Sequence, residues 1–122
     1  MLISENSADV CQLLVTGVAR MGHESVAVHS IDRGLVERAD VLLVEPGDGR
    51  SYLLAERVRS KRMDLPIICI SIYPPSAKSR LLQPVAHLVK PITLAGLRTA
   101  IETALGRLPN PAHASSPARG VG

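Results

Sequence analysis

The feature that most restricts what this chain can fold into is a regular alternation of short apolar runs with longer amphipathic stretches. Val41-Leu42-Leu43-Val44 and Leu65-Pro66-Ile67-Ile68-Cys69-Ile70 are apolar throughout. A strand wetted on one side alternates apolar and polar residues, whereas a strand covered on both faces does not. These runs therefore predict the interior of a parallel sheet with helices on both sides. Composition fits that picture: there is no Trp or Phe and there are only two Tyr, so Val, Leu, Ile and Ala must fill the core.

Read in order, Met1 to Ser4 predicts a first strand, and Asn6 or Ser7 an N-cap, with Asp9 in the helix's first turn where the macrodipole favours a negative charge. Val10, Leu13, Leu14, Gly17, Val18 and Met21 then recur at helical spacing, and Gly22 ends the helix. Ser25 to His29 predicts a second strand and Asp32 to Arg38 a short helix. The third strand, from Val41, ends at Glu45, and Pro46-Gly47-Asp48-Gly49 is a turn. Arg50 to Arg62 predicts a helix with Leu53, Leu54 and Val58 inward and Arg57, Arg59, Lys61 and Arg62 outward. Leu65 to Ser71, the most hydrophobic strand, is expected at the centre of the sheet. A short helix from Ser76 to Leu82, a strand from Val85 to Val89 and a helix from Thr93 to Leu105, capped by Thr93, complete the pattern. Five strands alternating with five helices through short loops require parallel pairing with right-handed crossovers.

The 122 residues suit one domain over residues 1–107, followed by a Pro-, Ala-, Ser- and Gly-rich tail over 108–122 that is expected to be disordered. A formal net charge of +3, without a basic face beside aromatics, argues against nucleic acid as a partner. Cys11 and Cys69 lie in apolar segments without CxxC spacing, which predicts small buried hydrophobes in a reducing compartment. No apolar run reaches the ~20 residues of a membrane span, and the MLISENSADV start does not resemble a signal peptide. A cytoplasmic protein without a membrane partner is expected. His23, His29 and His113 show no metal-ligand spacing and are expected at the surface.

In an open parallel sheet, functional groups gather at the carboxyl ends of the strands. Those ends carry Glu5 and Asn6, then Glu45, Ser71 and Lys90, so two carboxylates, an amide, a hydroxyl and an ammonium should converge. Their order, and the phrases ADVLLVE, LPIICIS and HLVKPIT, resemble the response-regulator receiver (CheY-like) family over roughly residues 1 to 106. The resemblance implies a flavodoxin-like three-layer sandwich with a five-stranded parallel sheet in the order 2-1-3-4-5. It also implies roles. Glu5 and Asn6 correspond to the acidic pair, Glu45 to the phosphoacceptor aspartate, Ser71 and Lys90 to the phosphate-binding pair, His87 to the switch aromatic, and the Gly47 carbonyl to a Mg²⁺ ligand.

Asn6, Glu45 and His87 depart from the family's pattern, and the loop after Glu45 is shorter than usual. The extra methylene of Glu45 moves its carboxylate by about 1.5 Å. A nucleophile misplaced by about 1 Å loses on the order of 100-fold in rate. Asn6 removes a charged ligand from a site for a hard cation. No catalytic residue is therefore expected, and no resident cofactor, with weak Mg²⁺ binding by Glu5, Glu45 and the Gly47 carbonyl as the alternative. Asp48 reads as a solvated turn residue rather than a substitute acceptor. The longer Glu45 side chain is expected to reach Lys90, either as a partial imitation of the phosphorylated state or as a plain structural ion pair. His87 reads either as a switch or as a half-buried strand histidine.

Three functions compete. The first is an atypical, non-enzymatic receiver in two-component signalling, working by contact with a histidine kinase or downstream effector. The second is a receiver that still takes a phosphoryl group by non-standard acceptor chemistry. The third is a flavodoxin-like small-ligand domain, against which stands the missing Gly-rich loop after the first strand. The resemblance places a homodimer or partner surface on helix 4, strand 5 and helix 5, with Leu82, Leu94 and Leu97 as candidates. The arginines of the third helix, with Lys78/Arg80 and Arg98/Arg107, read as solvated faces or as sites for an acidic partner.

Overall fold

The computed structural model describes residues 1–30 and 32–106. The elements run β1 (Leu2–Ser4), α1 (Ala8–Arg20), β2 (Val26–Ala27), α2 (Arg33–Arg38), β3 (Leu42–Val44), α3 (Gly49–Lys61), β4 (Ile67–Ser71), α4 (Ala77–Arg80), β5 (Ala86–Val89) and α5 (Leu94–Ala104). One parallel sheet has the order β2-β1-β3-β4-β5, as expected. The expected tail, with Arg107 and His113, lies outside the described residues. No helix among them is long and apolar enough to cross a membrane.

Two apolar layers sandwich the sheet. Leu2, Leu42, Val44, Ile67 and Cys69 face Val36, Tyr52, Leu54, Ala55 and Val58 of α2 and α3. Ile3, Leu43, Ile68 and Ile70 face Leu14 and Val18 of α1 and Leu97, Ala100 and Ile101 of α5. Residues Leu42 to Val44 and Ile67 to Ile70 alternate strictly between these layers, yet every one of them is apolar because both faces are covered. Gly17 lets α1 and α5 close together: a Cβ there would stand 3.0 Å from the Leu97 side chain.

Several local expectations need correction. Of the two cap candidates Ser7 serves, its hydroxyl accepting from the Val10 N–H. The second strand shrinks to Val26–Ala27, both exposed, because an edge strand has only one neighbour to extend it. The fourth helix is a four-residue turn, held by a Ser76/Ser79 capping box. β3 takes the middle of the sheet, with β4 an interior strand beside it. Leu13 and Leu53 are exposed, since each stands one residue away from the buried member of its pair, Leu14 or Leu54. Cys69 is buried but Cys11 only half so. Leu82 and Leu97 belong to the core and cannot serve a partner surface, while Leu94 is exposed.

Two outward arginines are also not simply solvated. Arg59 donates to the carbonyls of Leu82, Gln83 and Met63, binding the end of α3 to the turn after α4. Arg62 donates to those of Val36 and Ala39 and pairs with Asp64 at 2.8 Å. Lys78 lies over the Tyr52 ring, 4.3 Å from its centroid.

Candidate functional site

The parallel strands deliver their last residues to one end of the sheet. Glu5 follows β1, Glu45 follows β3, Ser71 ends β4, and Lys90 follows β5, where its N–H donates to the Ser71 carbonyl. Glu5, Glu45 and Ser71 are all buried, at 7%, 6% and 2% exposure. Burying a carboxylate is costly unless charge and hydrogen bonds replace the lost water, so the partners of these groups decide what the site can do.

Lys90 supplies the charge. Its Nζ lies 3.1 and 3.2 Å from the two Glu5 carboxylate oxygens and 3.2 Å from Glu45 Oε2. One ammonium thus serves two carboxylates. The expected Glu45–Lys90 pair is present, and Glu5 shares it. Glu45 Oε2 has no hydrogen-bond donor in line, so its contact with Lys90 is electrostatic. Its other oxygen accepts the Gly47 N–H at 2.9 Å and the Ser71 hydroxyl at 3.1 Å. Glu5 Oε1 also accepts the Ser7 N–H at 3.2 Å.

Gly47 is required for this arrangement: a Cβ there would meet Glu45 Oε1 at 2.5 Å. Asp48 is not a free turn residue but the N-cap of α3, its Oδ2 accepting the Ser51 N–H at 3.0 Å. Asn6 donates to Asp48 Oδ1 at 3.4 Å and not to either buried carboxylate. Together Glu5, Asn6, Glu45, Gly47, Asp48 and Lys90 line a cavity of about 350 Å³.

His87 stands apart from that cluster. A carbonyl can only accept, so the 2.8 Å contact of His87 Nε2 with the Tyr73 carbonyl makes Nε2 the donor. Nδ1 is buried without a partner. His87, Ser71, Tyr73 and Lys78 line a second cavity, of about 230 Å³, beside α4. Gly47 and Tyr73 line both cavities, and Ser71, in the second, donates to Glu45 of the first and accepts from the Tyr73 N–H at 3.2 Å.

Two features of the site escaped the sequence. The cap role of Asp48 had a signal, an Asp directly before a helix, but Pro46 and the flanking glycines pointed to a turn. The grip of Lys90 on Glu5 had none, because the spacing of two strand ends does not say which way a side chain turns.

The solved structures that this chain resembles include receiver domains. A CheY-like response regulator receiver domain protein from Methanospirillum hungatei superposes with a TM-score of 0.72 at 18% identity, covering 87% of this chain and 92% of that one. The chain has the receiver fold. NtrX from Brucella abortus, solved with ADP, gives 0.72 at 18% identity over 87% of this chain, which spans only 26% of the NtrX chain. An orphan response regulator of H. pylori gives 0.66 at 18% identity, covering 86% and 96% of the two chains. No family model matches the chain, and no curated protein matches it by sequence.

The receiver fold implies Mg²⁺, which demands hard oxygens in near-octahedral array. Here both Glu5 oxygens face Lys90, and the Glu45 oxygens are turned to Lys90, Gly47 and Ser71. Among the described residues no group of three or more His, Cys, Asp or Glu is arranged to hold a metal. An ammonium occupies the space between the carboxylates, and this donor set does not fit the ion.

Proposed function

We propose that this chain is an atypical receiver domain in two-component signal transduction that works by protein–protein contact, without phosphorylation at Glu45 and without a resident cofactor. The observation that carries the reading is the engagement of the Glu45 carboxylate. Lys90 and Ser71, which correspond to a receiver's phosphate-binding pair, already hold it, together with the Gly47 N–H. One Glu45 oxygen already accepts two hydrogen bonds and the other faces the Lys90 ammonium, so an incoming phosphoryl group would have to displace these contacts, and the Lys90 charge is already shared by two anions. The same contacts support Glu45 as a permanent, incomplete stand-in for a phosphoryl group, with less charge and fewer acceptor oxygens. The domain is then a non-enzymatic module, and its partner is a histidine kinase or an effector. Within the expected α4–β5–α5 surface, Leu94 and Val89 remain exposed for contact with a partner or a second copy.

The test is intact-mass analysis after incubation with acetyl phosphate and Mg²⁺. No phosphoryl adduct is expected for the native chain, and one is expected for the Glu45→Asp/Asn6→Asp double variant. An adduct on the native chain that disappears in Glu45→Gln would overturn the reading.

A further inference from the structure

The basic residues of α3 fall into two kinds. Arg59, like Arg62 just after the helix, directs its guanidinium to backbone carbonyls. Arg50 and Arg57 are exposed and form no ion pair among the described residues. Seven residues apart, they lie two turns apart on one helix face, about 10 Å along the axis. Leu53 sits between them, 55% exposed, with Leu54 buried beside it. With His29 and Ser30 these residues line a cleft of about 300 Å³ that no carboxylate enters. Glu56, the acid of this helix, stands on another side, with Tyr52, Arg59 and Leu82.

An exposed leucine between two unpaired guanidiniums has a chemistry that specifies a complement. We infer that the cleft docks an acidic helical segment of a protein partner, which sets an aliphatic side chain over Leu53 and Leu54 and carboxylates against Arg50 and Arg57. Guanidinium–carboxylate pairs can be bidentate, which fixes register as well as adding energy. A small inorganic anion would engage the guanidiniums but leave the leucine unused. Nucleic acid would leave the leucine unused, and the cleft holds no aromatic ring for a base to stack on. Anchors at helical spacing laid into a groove are a general mode of peptide recognition. The cleft adjoins the strand-end site, since Arg50 and His29 also line a cavity with Glu5, Asn6 and Asp48, but it contains neither Glu45 nor Lys90, so its test is read independently of the function proposed above.

The experiment is a titration of the full ¹⁵N-labelled chain with a synthetic helical peptide carrying two glutamates seven residues apart and a leucine midway. Shift changes are expected to centre on His29, Arg50, Leu53 and Arg57, and affinity should fall as salt is raised. Arg50→Glu/Arg57→Glu should weaken binding at least tenfold with an unchanged circular dichroism spectrum. Leu53→Ser, which leaves the charges alone, should weaken it several-fold. Equal binding by a glutamine-for-glutamate peptide, shifts centred elsewhere, no binding, or the same shifts with random duplex DNA would each overturn the proposal.

Discussion

Both ends of the sheet hold charge, but they neutralise it differently. At the carboxyl end, Lys90 faces two carboxylates, Glu5 and Glu45, so charge meets charge and the cluster keeps one net negative charge. At the opposite end, Arg59 faces the neutral carbonyls of Leu82, Gln83 and Met63, and the ion pairs there, Arg62 with Asp64 and the Met1 ammonium with Asp40, use exposed carboxylates. A guanidinium on carbonyls fastens chain segments together and does nothing else. An ammonium shared by two acids is a balance that any further charge must disturb. The functional reading belongs to the first end because its contacts can be exchanged for others.

The largest effect should come from removing the shared cation. Lys90→Met leaves two buried carboxylates without a counter-charge, and the expected loss is about 3–5 kcal/mol in urea unfolding at neutral pH. Glu45→Gln should cost far less, because one carboxylate and one ammonium then remain. The double variant Lys90→Met/Glu45→Gln should be more stable than Lys90→Met alone. If Lys90→Met unfolds at the native urea midpoint, the two ends do not differ as described.

This balance was only partly legible in the sequence. The apolar runs around Leu43 and Ile68 announced a sheet covered on both faces, and the residues closing each run named the site. The reach of Glu45 to Lys90 followed from one added methylene. Which anion Lys90 prefers did not, because a long flexible side chain is directed by its three-dimensional neighbours. Leu53 shows the same limit. Helical spacing places it and Leu54 near one stripe, but the edge of that stripe depends on how far the sheet extends beneath the helix. Arg59 and Arg62 sit on the polar side by periodicity, and only the folded chain brings carbonyls from α2 and the α4 turn within their reach.

A smaller loss is expected at the opposite end. Burial holds the Arg59 guanidinium below its ordinary pKa, with Asp64 opposing the shift. Arg59→Ala should cost about 2–3 kcal/mol, the scale of losing hydrogen bonds from a charged group to several carbonyls, one of them part-buried. Arg59→Lys should recover little of it, because an ammonium lacks the fork that reaches several carbonyls at once. Labelling in the acetyl phosphate experiment and binding of the acidic peptide should be unchanged in Arg59→Ala. A change in either would mean that this end is not purely structural.

The mildest effect tests how poorly the carboxyl end accepts one more negative charge. Burial, and then the nearby Glu45 carboxylate, push the Cys69 thiol up to about 12. In the unfolded chain the thiol ionises near pH ~8.5. Between those values the folded state keeps a proton that the unfolded state has released, so stability falls as pH rises. The full contribution is present below about pH 8.5 and declines by at most about 1.4 kcal/mol per pH unit above it. Tyr and Lys groups titrate in the same window, so the useful quantity is the native chain minus Cys69→Ala. Cys69→Ala carries a packing cost that does not change with pH, and its stability should fall less between pH 8 and pH 10, by about 2 kcal/mol. Glu45→Gln should flatten the native slope slightly, because it removes the smaller of the two causes. Parallel pH profiles for the native chain and Cys69→Ala would show that burial does not hold the thiol protonated, and a slope unchanged in Glu45→Gln would show that the carboxyl end does not resist added negative charge.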